Sequence, residues 1–256
     1  MRLDKYLAER FGSRTRAARA IADGRVTVNG RQAKASDEVG LSDAVSVCED
    51  GARGFVSEGG AKLQKALDDF GADVHGCTFA DIGASTGGFT DCLLRAGAAH
   101  VFAVDVGKSQ LHPSLAADAR VTVMDGMNAR YLTPQDFPAP PDGVVIDVSF
   151  ISLCHVLPAA AGLLGEGGRL FALIKPQFEC EGKGLNKHGI LTDEGRREEA
   201  VLAVCAFAKG CGLALQGLTE APRKPRKNVE YVALFARAAG GQDAAALLKR
   251  LHGIKG

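Results

Sequence analysis

The sequence predicts an α/β protein in two parts: a small α+β unit, then a parallel, doubly wound sheet ending in an antiparallel edge hairpin. Three observations carry this. From Gly76 onward, apolar runs of strand length alternate with helical stretches, the pattern of βαβ units. The acid-led, glycine-rich stretch Asp81-Ile-Gly-Ala-Ser-Thr-Gly-Gly-Phe89 falls where a strand should turn into a helix. The last two apolar runs are separated by a basic loop rather than a helix, which suits an antiparallel pair. At 256 residues, 46% hydrophobic and 24% charged, the chain can build a proper core.

In the first unit, residues 1–50, Leu3, Tyr6 and Leu7 recur at helical spacing, and a turn follows at Phe11-Gly12. Ser13 can cap a helix from Arg14 to Ala22 with Ala17, Ala18 and Ile21 on its apolar side. Val26-Thr-Val28-Asn29-Gly30 alternates and ends in Asn-Gly, a hairpin signal. A strand from Ala44 to Cys48 closes the unit. Between Met1 and Lys34 stand nine Lys/Arg against three Asp/Glu, although the whole chain is only +1. Such asymmetry points to an anionic partner. Arg2, Lys5, Arg14, Arg16, Arg19, Arg25, Arg31 and Lys34 are the expected RNA contacts, gripping phosphates rather than reading bases. The segments Arg2 to Leu7, Ser13 to Arg19 and Gly24 to Gly30 resemble the alpha-L RNA-binding motif of a small-subunit ribosomal protein and many pseudouridine synthases.

Residues 51–60 read as a glycine-rich linker in which Phe55 and Val56 could dock on a neighbouring surface. The second domain, residues 61–256, opens with a helix from Lys62 to Phe70. A helix is expected from Thr90 to Ala96. Strands are expected at Cys77–Ile82, His100–Val106, Val121–Met124, Gly143–Val148 and Arg169–Ile174. A helix from Thr192 to Lys209 precedes hairpin strands at Ala214–Thr219 and Glu230–Arg237. A parallel sheet finished this way fits a Rossmann-like class I methyltransferase better than a dehydrogenase. No apolar run approaches a membrane span and the N-terminus begins with charges, so a cytoplasmic protein is expected. The seven cysteines form no C-x-x-C pair and read as reduced, mostly buried residues. The six histidines show no ligand spacing, and no metal is expected.

Ligands of doubly wound sheets bind beyond the carboxyl ends of the strands. The glycine stretch lacks the G-x-G-x-x-G order and the Lys-Ser/Thr of a P-loop. It suits a cofactor with a cationic amino acid end, such as S-adenosyl-L-methionine. Four acids fall at strand ends. Asp81 stands beside the glycines. Asp105 has the offset of a ribose-binding acid. Asp125 suits an adenine amino group, and Asp147 ends the fourth strand. The expected cofactor contacts are thus Asp81, Gly83, Ser85, Thr86, Gly87, Gly88, Phe89, Asp105, Asp125 and Asp147. Asp147 is followed by Val-Ser-Phe150 instead of the Pro-Pro-aromatic of base-amino methylation, so an oxygen acceptor fits better. Lys175, stopped by Pro176 at the rim of the fifth strand, is a candidate base beside a cationic cofactor. Lys62 and Glu230 are further candidates.

Five segments carry a second resemblance: Ser57 to Leu63, Asp81 to Asp91, Val144 to Ser152, Leu173 to Glu179 and Asn228 to Tyr231. They are similar in order and spacing to the TlyA, or hemolysin A, family of ribosomal RNA methyltransferases, which joins an alpha-L module to an FtsJ-like domain. The resemblance implies ribose 2′-O-methylation by a Lys-Asp-Lys-Glu tetrad, here Lys62, Asp147, Lys175 and Glu230. It also implies S-adenosyl-L-methionine as cofactor, and as partner a cytidine in large-subunit RNA, small-subunit RNA or both. The chain departs from the family in having Phe55 for a tryptophan, Glu58 for an arginine and a more basic Pro222–Asn228 loop. Two other readings stand beside this one. One is a non-catalytic RNA-binding assembly factor, and the other is the haemolysin of the family's older name, which the lack of a span disfavours.

Overall fold

A computed structural model describes residues 1–22, 26–29, 31–40, 43–47 and 54–253, and it divides into two compact units, Met1–Gly54 and Phe55–Gly256. The first contains α1 (Leu3–Tyr6), α2 (Arg14–Ala22), β1 (Val26–Val28), β2 (Arg31–Gln32) and β3 (Val45–Val47). The strands pair antiparallel in the order β2-β1-β3. Leu3, Leu7, Ala17, Ile21, Val26 and Val39 make its small core. Helix α2 spans the expected residues, and the third strand is shorter than expected; Gly30 of the Asn-Gly turn, Arg25 and Cys48 lie outside the described residues.

The second unit begins with α3 (Glu58–Phe70), then β4 (Thr78–Ile82), α4 (Gly88–Arg95), β5 (His100–Asp105), α5 (Pro113–Ala116) and β6 (Val121–Asp125). It continues with β7 (Gly143–Ile146), α6 (Leu157–Leu163), β8 (Arg169–Ile174), α7 (Pro176–Glu179), α8 (Glu194–Gly210), β9 (Ala214–Glu220), β10 (Tyr231–Ala236) and α9 (Ala244–Leu251). The sheet order is β6-β5-β4-β7-β8-β10-β9. Strands β4 to β8 run parallel, and β10 runs antiparallel to both β8 and β9. This is the expected sheet with its edge hairpin. Successive strand residues face opposite sides, so each face acquires its own helices. Ala80, Ile82, Ile146 and Ala172 meet residues of α6 and α8 such as Leu157 and Val204. Phe79, Val101, Val145 and Phe171 meet Leu63 of α3 and Leu93 of α4.

Several boundaries differ from expectation. Helix α3 starts at Glu58, so Gly59 and Gly60 form its first turn rather than a linker. Phe55 and Val56 pack against the α3/α4 core, Val56 N donates to Asp91 Oδ2 at 2.9 Å, and the Arg95 guanidinium lies 5.0 Å from the centre of the Phe55 ring. Tertiary packing therefore overrides the low helix propensity of two glycines. Strand β7 stops at Ile146, although Asp147 N still donates to Ile82 O at 3.0 Å, whereas α4 begins two residues earlier than expected, at Gly88. Of the six described cysteines only Cys92 and Cys205 are buried; the others are partly exposed, so burial is less general than the sequence suggested. No helix among the described residues is long and apolar enough to cross a membrane.

Candidate active site

Strands β5 and β7 flank β4 on opposite sides, so the chain's windings part around β4 and leave a crevice at its carboxyl end. A cavity of about 340 Å³ lies there. Seven of the expected cofactor residues line it: Asp81, Gly83, Ser85, Thr86, Gly88, Phe89 and Asp147. Lys175 lines it too, as do Ser57, Glu58 and Ser149, none of which the sequence marked as a site residue.

The glycines are demanded by sterics. Gly83 has φ 83°, and a Cβ there would stand 2.6 Å from the Asp147 carbonyl oxygen. A Cβ on Gly88 would lie 2.9 Å from Gly60 N, where the starts of α4 and α3 touch. Between them Ser85 takes φ 48°, a left-handed conformation unusual for serine. Its N–H donates to Asp105 Oδ2 at 2.8 Å, while Gly107 N donates to Oδ1 at 2.7 Å. Asp105 therefore shapes the loop from behind. Asp125 plays a similar part, accepting from Ser109 N at 2.7 Å. Neither acid lines the cavity, nor does Gly87, which packs under Leu111 and Leu115.

Asp81 lies on the β4 face that α4 covers. It is fully buried, and Thr90 Oγ1 donates to its Oδ2 at 2.6 Å. Its Oδ1 is buried with no hydrogen-bond partner among the described residues. Burial, with the nearby Asp147 charge adding to it, pushes the Asp81 carboxyl up to about 7. An orphaned carboxylate oxygen on a glycine-lined cavity fits a ligand that brings an ammonium group, as S-adenosylmethionine does.

Two ion pairs hold the four expected catalytic side chains. Lys175 Nζ is 2.6 Å from Asp147 Oδ1, but its aligned hydrogen bond goes to Ser149 Oγ at 2.7 Å. Asp147 Oδ1 thus has a charge beside it and no aligned donor among the described residues. Lys62 Nζ donates to Glu230 Oε2 at 2.5 Å. The second pair does not line the cavity. It is joined to the first through α7: Gln177, two residues beyond Lys175, donates from Nε2 to Glu230 Oε1 at 3.2 Å. Glu230 precedes β10, and the register Tyr231↔Ile174 puts it opposite Lys175. Beside the cavity, Phe150 is 90% exposed at φ 63° and packs obliquely on Phe178 with ring centres 5.1 Å apart.

In the first unit, Arg2, Lys5, Arg14, Arg31 and Lys34 are exposed. Asp4, itself buried, accepts from Arg2 Nη2 and from Arg14 Nη2, each at 3.0 Å. These bonds hold its carboxyl well below the usual carboxylate range. Arg16 and Arg19 fall within α2, but their side chains, like Arg25 as a whole, lie outside the described residues.

This sheet, with its glycine-floored cavity and lysine–aspartate pair, defines a methyltransferase: the FtsJ-like methyltransferase family matches residues 55–237, and the S4 domain matches residues 1–45. The chain is 43% identical over 235 residues to the 16S/23S rRNA (cytidine-2′-O)-methyltransferase TlyA of Mycobacterium tuberculosis, covering 90% of this chain and 87% of that protein. It is 38% identical over 240 residues to hemolysin A of Brachyspira hyodysenteriae, covering 92% and 99%. A solved structure from Streptococcus thermophilus, 36% identical, superposes with a TM-score of 0.74 over 99% of this chain and 96% of that one. The chain belongs to the TlyA, or hemolysin A, family of FtsJ-like methyltransferases.

Proposed function

We propose that this protein methylates the ribose 2′-hydroxyl of a cytidine in ribosomal RNA, using S-adenosyl-L-methionine. The observation that carries the proposal is Lys175: a lysine 7% exposed, set between Asp147 and Ser149 on the wall of the glycine-lined cavity. The cofactor, when bound, supplies a methyl group already activated on a sulfonium. Asp81, Gly83, Ser85, Thr86, Gly88 and Phe89 are the residues that would hold it. Lys175 in its neutral form takes the proton of the attacking hydroxyl, and Asp147 stabilises the ammonium so formed. Ser149 fixes the amine's direction. Lys62 and Glu230, braced by Gln177, orient the ribose. The exposed Phe150 face beside them suits a stacked nucleobase. Much of the acceleration comes from positioning.

The choice of cytidine and ribosomal RNA draws on the M. tuberculosis relative, whose name gives both the 16S and the 23S molecules. The exposed arginines and lysines of the S4 unit supply the sequence-independent grip such a substrate needs. The test incubates the protein and methyl-labelled cofactor with isolated small and large ribosomal subunits and maps the label. Label on the ribose of a discrete cytidine is expected. Label on a base, or cofactor binding without transfer to either subunit, overturns the reading; the second result describes an assembly factor.

A further inference from the structure

Two segments carry the reactive pair, 147–153 after β7 and 175–179 after β8. The ladder between these strands ends at Ile146↔Ala172, so backbone pairing does not hold the segments together beyond it. Three side-chain links appear instead. Lys175 reaches Asp147 and Ser149, Phe150 packs on Phe178, and Glu179 reaches across to Ser152 and Leu153. The third link uses both oxygens of one carboxylate. Ser152 Oγ donates to Glu179 Oε2 at 2.5 Å, and Leu153 N donates to Oε1 at 2.9 Å.

We propose that Glu179 is a positioning residue which, by clamping Ser152 and Leu153, sets where Asp147 and Ser149 stand against Lys175. The proposal rests on the reaction assigned above and adds a residue to it. Glu179 closes α7, the single turn that Lys175 opens, and its clamp grips five and six residues beyond Asp147. Within that short span Phe150 is held at φ 63°, a conformation that persists only when its surroundings fix it. Local capping does not need the glutamate, because Ser152 Oγ already accepts from Cys154 N at 3.1 Å to start the turn Leu153–His155. Burial pushes the Glu179 carboxyl up, opposed by its two donors and by the facing His155. A partly buried acid is therefore retained here against its solvation cost, at the one place where it ties the two reactive segments.

The test compares Glu179→Ala, Glu179→Gln and Ser152→Ala in the full chain. It measures methyl-transfer kcat, KM for cofactor and RNA, melting temperature, and the rates at which an amine reagent modifies Lys175 and Lys62. Lys62 is the internal control because its partner Glu230 is not gripped by Glu179. Glu179→Ala is expected to lower kcat about ten- to a hundredfold, the scale of an ångström-sized misplacement, with both KM values within about twofold. Lys175 should be modified several-fold faster while Lys62 is unchanged. Glu179→Gln, which keeps an acceptor for Leu153 N, should return kcat to within about threefold of the parent. Should Glu179→Ala fail to fold, Ser152→Ala, which cuts one of the two bonds, should give a smaller change in the same direction. Full kcat in Glu179→Ala overturns the proposal. So does a loss that follows cofactor KM or melting temperature with the Lys175-to-Lys62 rate ratio unmoved. If the parent protein labels no ribose, the assigned reaction fails, while the reactivity ratio still decides whether the clamp places Lys175.

Discussion

Asp4 of the S4 unit and Asp81 of the methyltransferase unit are both buried, and the two units use them in opposite ways. Asp4 in the S4 unit is surrounded by donors: two guanidiniums converge on it, and its charged form is favoured. Asp81 in the methyltransferase unit has a hydroxyl donor and an oxygen with no partner among the described residues, and its charged form is disfavoured. Asp4 is complete in the free protein and serves to hold two arginines outward. Asp81, which lines the cavity, keeps one oxygen without a donor among the described residues. A satisfied buried charge organises a surface, and an unsatisfied one marks a site.

The largest expected effect lies on the incomplete side. Lys175→Ala should lower methyl transfer by about 10²- to 10⁴-fold, the range of a lost general base, while calorimetry finds cofactor binding retained. Transfer at the parental rate would remove Lys175 from the chemistry. Next comes Asp81→Asn, which should weaken cofactor binding about ten- to a hundredfold by removing a charge-assisted bond to the ammonium. The same change should make the cofactor-free protein more stable above neutral pH. The folded carboxyl titrates near about 7 and the unfolded one near 3.8, so the folded state keeps a proton that the unfolded state releases. The parent's stability therefore falls as pH rises from the lower value to the higher, and cofactor affinity rises as pH passes the higher one. Denaturant melts at several pH values check the first trend and titrations of the cofactor check the second. A pH-independent difference between parent and variant would show that Asp81 does not titrate there.

Smaller effects probe the completed side. Asp4→Ala should weaken RNA binding only about two- to fivefold, because Arg2 and Arg14 keep their charges and lose only their alignment. Cofactor affinity should not change, and filter binding at two salt concentrations separates the effects. The smallest belongs to Glu58→Gln at the cavity rim, which breaks an ion pair with Lys224 whose members are 63% and 61% exposed. Melting should report a change within about 1 kcal/mol, as for solvent-screened pairs.

The parts of the fold that were legible had both ends marked by chemistry. Arg169–Ile174 is an apolar run after Gly167-Gly168 and before Lys175-Pro176, and the strand has those limits. The start of helix α3 is hidden in the sequence because glycine ordinarily signals a linker, and the packing of Phe55 and Val56 shows otherwise. In the site, Asp81 and Asp147 were readable as acids at strand ends. Glu230 was readable only as an acid at the start of the last strand, and its role came from the family resemblance. Ser149 and Gln177 carry no local signal, being neutral residues whose importance lies in partners 26 and 53 positions away. Asp105 and Asp125 were visible as acids, but sequence could not show that they accept backbone N–H groups of Ser85, Gly107 and Ser109.

Strand β10 enters the sheet from the end at which β8 leaves it. That reversal delivers Glu230 to the reacting rim by ladder register, whatever path the chain takes beforehand. The span from Pro222 to Lys227 can consequently lengthen, shorten or exchange its charges without disturbing Glu230. A single residue inserted into β10 itself would turn every following side chain to the opposite face. Selection can thus remodel the loop that borders the candidate site while the side chains on the sheet rim keep their places.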